Sequence, residues 1–150
     1  MTGFNSRQIK SLSPEAVFGK DTALMIDHVS IAVRDLAGSA RFYEAVLAPL
    51  GYAKLVTRPA TIGFGKKYPE FWLNERRNMT PVDADSGVHF CLRARDAAAV
   101  QAFHDAAIKA GGSSDGAPGP RSGEMAGYYA AFIRDPEGNR IEAATFTAAA

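Results

Sequence analysis

Residues 26–51 read IDHVSIAVRDLAGSARFYEAVLAPLG, and this stretch decides the fold. Its first eight residues are rich in β-branched side chains and alternate in the manner of a strand. Asp35 then predicts a helix N-cap, because its carboxylate can accept hydrogen bonds from the first turn. Apolar residues recur after Asp35 at steps of three and four until Gly51, so a helix is predicted that stops at Gly51.

The same pattern returns in residues 87–112, which read GVHFCLRARDAAAVQAFHDAAIKAGG. Identical residues stand 61 positions apart in the two stretches: His28 and His89, Arg34 and Arg95, Asp35 and Asp96, Phe42 and Phe103, Ala45 and Ala106, Gly51 and Gly112. A repeat of this kind indicates that one structural unit is present twice. The chain is therefore interpreted as two copies of one unit.

Further strands are predicted after each helix, from β-branched and aromatic content and from the breaks between runs. They lie at residues 52–57, 61–64 and 70–73 in the first unit, and at 128–134 and 140–146 in the second. Residues 116–127, GAPGPRSGEMAG, predict a loop. The sequence DPEGN at 135–139 predicts a tight hairpin turn, because Pro and Gly suit its backbone angles.

These elements predict an α+β fold of two tandem βαβββ modules, with paired sheets and helices on the outer faces. Residues 1–24 show no sustained period and are interpreted as an N-terminal extension. Residues 25–150 are predicted to form a single domain, with module one at 25–80 and module two at 87–148, joined by a polar connector.

Composition favours a small-molecule partner. The 150 residues carry a formal net charge of +1, too small for the basic field of a nucleic-acid-binding or anionic-membrane-binding protein. The sequence has neither an apolar run long enough for a membrane span nor a signal-peptide pattern. The single cysteine, Cys91, agrees with a reducing compartment, and a cytoplasmic location is predicted.

Strand alternation predicts where the histidines point. Val29, Ile31 and Val33 form the apolar face toward the helix, so His28 lies on the opposite face. His89 occupies the equivalent position in the second unit. Because Glu70 and Glu142 lie on strands that also alternate, two histidines and two glutamates are predicted to share one cavity, and such donors bind divalent first-row metals. A lone strand histidine is more often structural, but this repeated pair favours a metal site.

The segments IDHVSIAVRDLAGSARFYEAVLAPLGY, EFWL, HFCLRARDAAAVQAFHDAAIKAGG and YYAAFIRDPEGNRIEAATF together resemble the vicinal oxygen chelate superfamily. That superfamily includes glyoxalase I, methylmalonyl-CoA epimerase, extradiol dioxygenases, and fosfomycin- and bleomycin-resistance proteins. The resemblance implies a cup-shaped open barrel of mixed sheets around a divalent metal (Zn, Ni, Mn or Fe), a homodimer, and metal ligands at His28, Glu70, His89 and Glu142.

The leading functional hypothesis is a metal-dependent lyase or isomerase of glyoxalase type that acts on a small substrate with adjacent oxygens. The metal would act as a Lewis acid, and Glu70 or Glu142 would abstract a proton next to a carbonyl. Substrate contacts are predicted at Trp72, Arg93, Tyr128 and Tyr129.

Three alternatives use the same residues differently. His28, His89 and Glu142 form a 2-His-1-carboxylate set, which suits an Fe(II) extradiol-type dioxygenase. The same triad suits a thiol transferase of fosfomycin-resistance type. A metal-free binding or resistance protein would instead use Trp72, Tyr128 and Tyr129 as stacking surfaces.

Overall fold

The computed structural model describes residues 26–122 and 125–146, so the predicted extension at 1–24 lies outside the described residues. The elements follow the chain in this order: β1 (Val29–Val33), α1 (Leu36–Leu47), a 3-10 turn (Ala48–Leu50), β2 (Ala53–Thr57), β3 (Thr61–Gly65), β4 (Pro69–Glu75), β5 (Phe90–Arg93), α2 (Ala97–Lys109), β6 (Ser113–Pro120), β7 (Tyr128–Arg134) and β8 (Arg140–Phe146). This order confirms an α+β fold built from two βαβββ modules.

Each module forms one four-stranded mixed sheet. The strand order is β1-β4-β3-β2 in module one and β5-β8-β7-β6 in module two. In both sheets the first strand of the module runs parallel to the last, and the other pairs are antiparallel. The identical order confirms the duplication. Within the part of the chain that the structure describes, no strand pairing joins the two sheets, so they do not close into a barrel.

Both helices begin at the predicted caps. Asp35 Oδ1 accepts a hydrogen bond from the Gly38 N–H at 2.9 Å, and Asp96 Oδ1 accepts one from the Ala99 N–H at 2.8 Å. The first helix ends at Leu47, earlier than predicted, and a 3-10 turn containing Pro49 follows it. Gly51 then adopts a left-handed conformation with φ 82°, which a glycine accepts without strain. None of the described helices combines the length and apolarity that a membrane crossing requires.

The predicted loop at residues 116–127 is wrong in its first part, because residues 116–120 belong to strand β6. This strand reads SSDGAPGP and pairs only with β7, with register shifts on both sides of Gly116. An edge strand accepts Pro118 because one side of its backbone needs no ladder partner. The strand therefore forms without the β-branched residues that normally signal one.

One apolar core runs through both modules. In module one its largest fully buried side chains are Tyr43, Phe64 and Phe71, whereas module two contributes Phe103 and a set of small or aliphatic residues. In β1, β4 and β5 the residues that face the helices are the less exposed ones, as the alternation predicts, whereas in β8 both faces are buried.

The turn at 135–139 holds the two modules together. Glu137 accepts hydrogen bonds from the backbone N–H groups of Arg34 and Asp35 at 2.9 and 3.2 Å, and the Arg34 Nε–H donates to it at 2.7 Å. Asp135 accepts a hydrogen bond from the buried Tyr43 hydroxyl at 2.7 Å. The Asn139 side-chain amide donates to a carbonyl of β1. The turn therefore does more than close a hairpin, since it fixes β1 against module two.

Candidate functional site

A cavity of about 400 Å³ opens where β1 and β5 approach each other. Its walls are formed by Ile26, Asp27, His28, Val29, Tyr52, Glu70, His89, Phe90, Cys91, Leu92 and Arg93. Three of the four predicted metal ligands, His28, Glu70 and His89, thus line one cavity to which both modules contribute.

On the module-one side, a carboxylate orients the first histidine. His28 Nδ1 lies 2.6 Å from Asp27 Oδ1, so this nitrogen carries the shared proton and Nε2 stays available. The hydrogen bond with His28 lowers the pKa of Asp27 below its usual value against the opposing effect of burial. The Tyr68 hydroxyl also donates to Asp27, and burial together with that bond raises the pKa of Tyr68 to about 12. Asp27 and Tyr68 therefore hold the His28 ring in place.

Glu70 is the less engaged of the two predicted carboxylates. Its Oε2 accepts one long hydrogen bond, 3.3 Å from the Lys66 backbone N–H. Across the cavity wall, burial and the negative charge of Glu70 raise the pKa of Tyr52. The carboxylate of Glu70 is half-buried and keeps most of its acceptor capacity.

On the module-two side, Glu142 is 2% exposed and fully engaged. Its Oε2 lies 3.0 Å from His89 Nε2, and its Oε1 accepts a hydrogen bond from the Tyr128 hydroxyl. Burial, followed by the charge of Glu142 and a hydrogen bond to it, raises the pKa of the Cys91 thiol to about 12. The thiol therefore remains protonated near neutral pH and is an unsuitable nucleophile.

The donor set has the chemistry of a divalent-metal site. Two imidazoles and two carboxylates suit Zn, Ni, Mn or Fe and leave positions open for a substrate. Three of the donors line the cavity, whereas Glu142 does not line it and is hydrogen-bonded to His89 behind the wall. Within residues 26–122 and 125–146, no three His, Cys, Asp or Glu side chains approach closely enough to hold one ion together. The donors therefore surround the site without forming a closed coordination sphere, and the metal site stays a prediction.

Two of the predicted substrate contacts lie at or near this site. Arg93 lines the cavity, and its guanidinium stands 4.6 Å from the centre of the Phe146 ring. Tyr128 stacks on the same ring at 5.1 Å with an interplanar angle of 10°. The Phe146 ring thus lies between Arg93 and Tyr128, and the Tyr128 hydroxyl donates a hydrogen bond to Glu142.

The other two predicted contacts lie apart from the cavity walls. Trp72 packs beneath Arg58, whose guanidinium is 5.4 Å from the indole ring. The Tyr129 hydroxyl accepts a hydrogen bond from Gln101 of α2 at 3.0 Å, which places it on the helix side of the sheet. Because Tyr129 points away from the cavity, it has no part in the proposal below.

Asp27 and Tyr52 are wall residues that the sequence prediction missed. Asp27 carried a usable signal, since a carboxylate directly before a candidate ligand histidine can orient its ring. Tyr52 gave none, because it precedes β2 and reaches the cavity wall only in the folded structure.

Comparison with known proteins agrees with this fold. The family model for the glyoxalase/bleomycin resistance protein/dioxygenase superfamily matches residues 25–143. A glyoxalase/bleomycin resistance protein from Albidiferax ferrireducens T118 is 32% identical, with a TM-score of 0.71, and the match covers 81% of this chain and 98% of that one. A comparison with curated proteins gave no match.

Two more distant structures share the fold. The fosfomycin resistance protein FosX from Mesorhizobium loti is 19% identical with a TM-score of 0.60, covering 82% of this chain and 92% of that one. A V278E mutant of glyoxalase I from Zea mays is 22% identical with a TM-score of 0.62, covering 78% of this chain and 44% of that one. At these identities the likeness extends to the fold alone.

Proposed function

We propose that this chain, which belongs to the glyoxalase/bleomycin resistance protein/dioxygenase superfamily, is a divalent-metal-dependent lyase or isomerase of glyoxalase type. Its substrate is a small molecule with adjacent oxygens. The observation that supports this proposal is the shared cavity: His28 and Glu70 from module one face His89 from module two, and Glu142 is hydrogen-bonded to His89.

The residues suggest distinct roles for the donors. His28 presents Nε2, since Nδ1 is engaged by Asp27. His89 Nε2 lies 3.0 Å from Glu142 Oε2, and a cation bound by this nitrogen would replace the hydrogen bond between them. When bound, a divalent ion supplies Lewis-acid polarisation of a substrate carbonyl.

Glu70 is the better candidate for the general base. A base must have free acceptor capacity at the cavity surface, where it can reach the substrate proton. Glu142 is buried and is hydrogen-bonded to His89, Tyr128 and Cys91, whereas Glu70 receives one long bond from a backbone N–H. We therefore assign proton abstraction to Glu70 and metal retention to Glu142.

A metal inventory tests the site directly. Protein purified without chelator is compared with His28→Ala and His89→Ala, and each variant is expected to bind the metal at least about ten-fold more weakly. His104→Ala is the matched control, because His104 lies on α2 and is hydrogen-bonded to Ser114. Undiminished metal binding in both site variants would refute the proposal, and wild-type protein without metal affinity would favour a metal-free binding protein.

The reaction class is tested by proton exchange. A panel of small α-oxo and α-hydroxy carbonyl compounds is incubated with metal-loaded protein in heavy water, and loss of the α-proton is followed by NMR. Glu70→Gln is expected to lower exchange by about 100-fold while leaving metal bound. Light scattering of the same sample tests the predicted homodimer.

A further inference from the structure

The face of the second sheet opposite α2 carries four arginines in two different situations. Arg134 and Arg140 share the carboxylate of Asp115, at 3.2 and 2.8 Å. Arg93 and Arg121 have no carboxylate partner among residues 26–122 and 125–146; each lies over an aromatic ring. On this face, two arginines thus form no ion pair with a described carboxylate.

The Arg121 guanidinium packs against an aromatic ring, but its hydrogen bonds are few and long. The guanidinium lies 4.6 Å from the centre of the Phe132 ring. Among the described residues, its Nη2 makes only long hydrogen bonds, 3.3 Å to the Ala117 carbonyl and 3.4 Å to the Ala130 carbonyl, and its Nε is buried without a partner. A buried donor without an acceptor is unfavourable, so the free protein retains unused capacity for an anion.

The position of Arg121 connects it to the candidate site. Phe132 lies directly opposite Glu142 in the β7–β8 ladder, and its ring centre is 6.0 Å from that of His89. Gly116 lies opposite Phe132 in β6, and a Cβ there would come within 3.0 Å of both Arg121 Nη2 and the Phe132 ring. The absence of a side chain at 116 leaves the space that the guanidinium occupies.

We propose that Arg121 is the recognition residue for an oxyanion, a carboxylate or a phosphate, carried by the substrate. A planar guanidinium that is fixed on a ring and has free N–H groups is preorganised for two-point binding of such a group. Arg93 adds a second positive charge at the cavity wall. The identification of the oxyanion as part of the substrate rests on the proposed function, whereas the oxyanion site itself does not.

The test is an NMR titration of chelator-treated full-length protein with inorganic phosphate and, separately, with malonate. The Arg121 Nε–H signal is expected to shift saturably with at least one of the two ions. Saturation with phosphate alone assigns a phosphate group to the substrate, and saturation with malonate alone assigns a carboxylate. Absence of a saturable shift with either ion would overturn the proposal.

Substitutions separate recognition from general charge. Arg121→Gln is expected to raise the apparent Kd about ten-fold, with Arg121→Lys between it and wild type. Gly116→Ala keeps every charge but displaces the guanidinium, and is also expected to weaken binding. Arg41→Gln, an exposed arginine of α1, is the control for unchanged affinity. Equal affinity of wild type and Arg121→Gln would also overturn the proposal.

The titration is independent of the metal inventory. Oxyanion binding by Arg121 in a protein without metal affinity would refute the proposed metal-dependent function and would support the oxyanion site. Metal binding at His28 and His89 without an Arg121-dependent oxyanion response would do the reverse.

Discussion

The two modules share one backbone plan but fill it differently. Module one packs its sheet with fully buried aromatic rings, including Phe64 and Phe71, whereas module two packs the equivalent layer with residues such as Ala131, Ile141 and Ala143. Their glutamates also differ, because Glu70 is half-buried and lightly bonded while Glu142 is buried and saturated. The two modules therefore share a topology, whereas the size and polarity of individual side chains assign different chemistry to each half.

The largest expected effect compares the two cores at matched positions. Phe71 lies opposite Val29 in module one, and Ile141 lies opposite Phe90 in module two. The Phe71 and Ile141 side chains are each at most 1% exposed. Phe71→Ala is expected to lower the free energy of unfolding by about 4 kcal/mol and Ile141→Ala by about 3 kcal/mol, since the larger side chain leaves the larger cavity. Urea denaturation measures both, and a loss below about 1 kcal/mol at either position would contradict the packing described.

Loss of the Glu137 hydrogen bonds between the modules is expected to have an intermediate effect on the free energy of unfolding, and this effect depends on pH. Burial alone would raise the pKa of Glu137, but the hydrogen bonds from Arg34 and from the Asp35 and Arg34 backbones lower it. A carboxylate with a lowered folded-state pKa stabilises the fold above its unfolded pKa, and this contribution disappears as pH falls through the folded value.

Glu137→Gln is therefore expected to cost about 2 kcal/mol at pH 7, and the difference from wild type should shrink in acid below about pH 4.5. Glu44→Gln, which breaks the exposed pair with Lys54, is the control and should change stability by less than about 1 kcal/mol at every pH. If the difference in unfolding free energy between wild type and Glu137→Gln did not change with pH, the charge of Glu137 would not stabilise the contact between the modules.

The smallest expected effect tests how alike the modules are. Asp35→Ala and Asp96→Ala each remove one N-cap hydrogen bond, so each is expected to cost about 1 kcal/mol. Thermal or urea unfolding of the two variants and of Asp105→Ala, an exposed helix carboxylate, checks this. Costs that differ by more than about 1 kcal/mol would show that the repeated caps are not equivalent.

Local patterns predicted most of the fold. The strand before Asp35, both N-caps and the turn at 135–139 depend on contacts within a few residues, and each is confirmed. The helix itself ends at Leu47, and Gly51 ends the 3-10 turn that follows it. Strand β6 escaped prediction because SSDGAPGP has no alternation and no β-branched residue. Its extended conformation is instead stabilised by backbone pairing with β7.

The residues of the candidate site also fall into two groups, those predictable from local sequence patterns and those that required the packed structure. His28, Glu70, His89 and Arg93 were placed on the correct face by period-two alternation, which depends only on backbone geometry. The orientation of Tyr129 toward Gln101, and the entry of Tyr52 into the cavity wall, required the packed structure.

The duplicated βαβββ unit and the face on which each candidate donor stands follow from the amino-acid sequence, because caps, turns and strand periods act over short distances. The hydrogen bonds that those donors make depend instead on tertiary packing. Glu142 is paired with Tyr128 and His89, and Arg121 lies over Phe132 with a donor unused, because segments distant along the chain are brought together by packing.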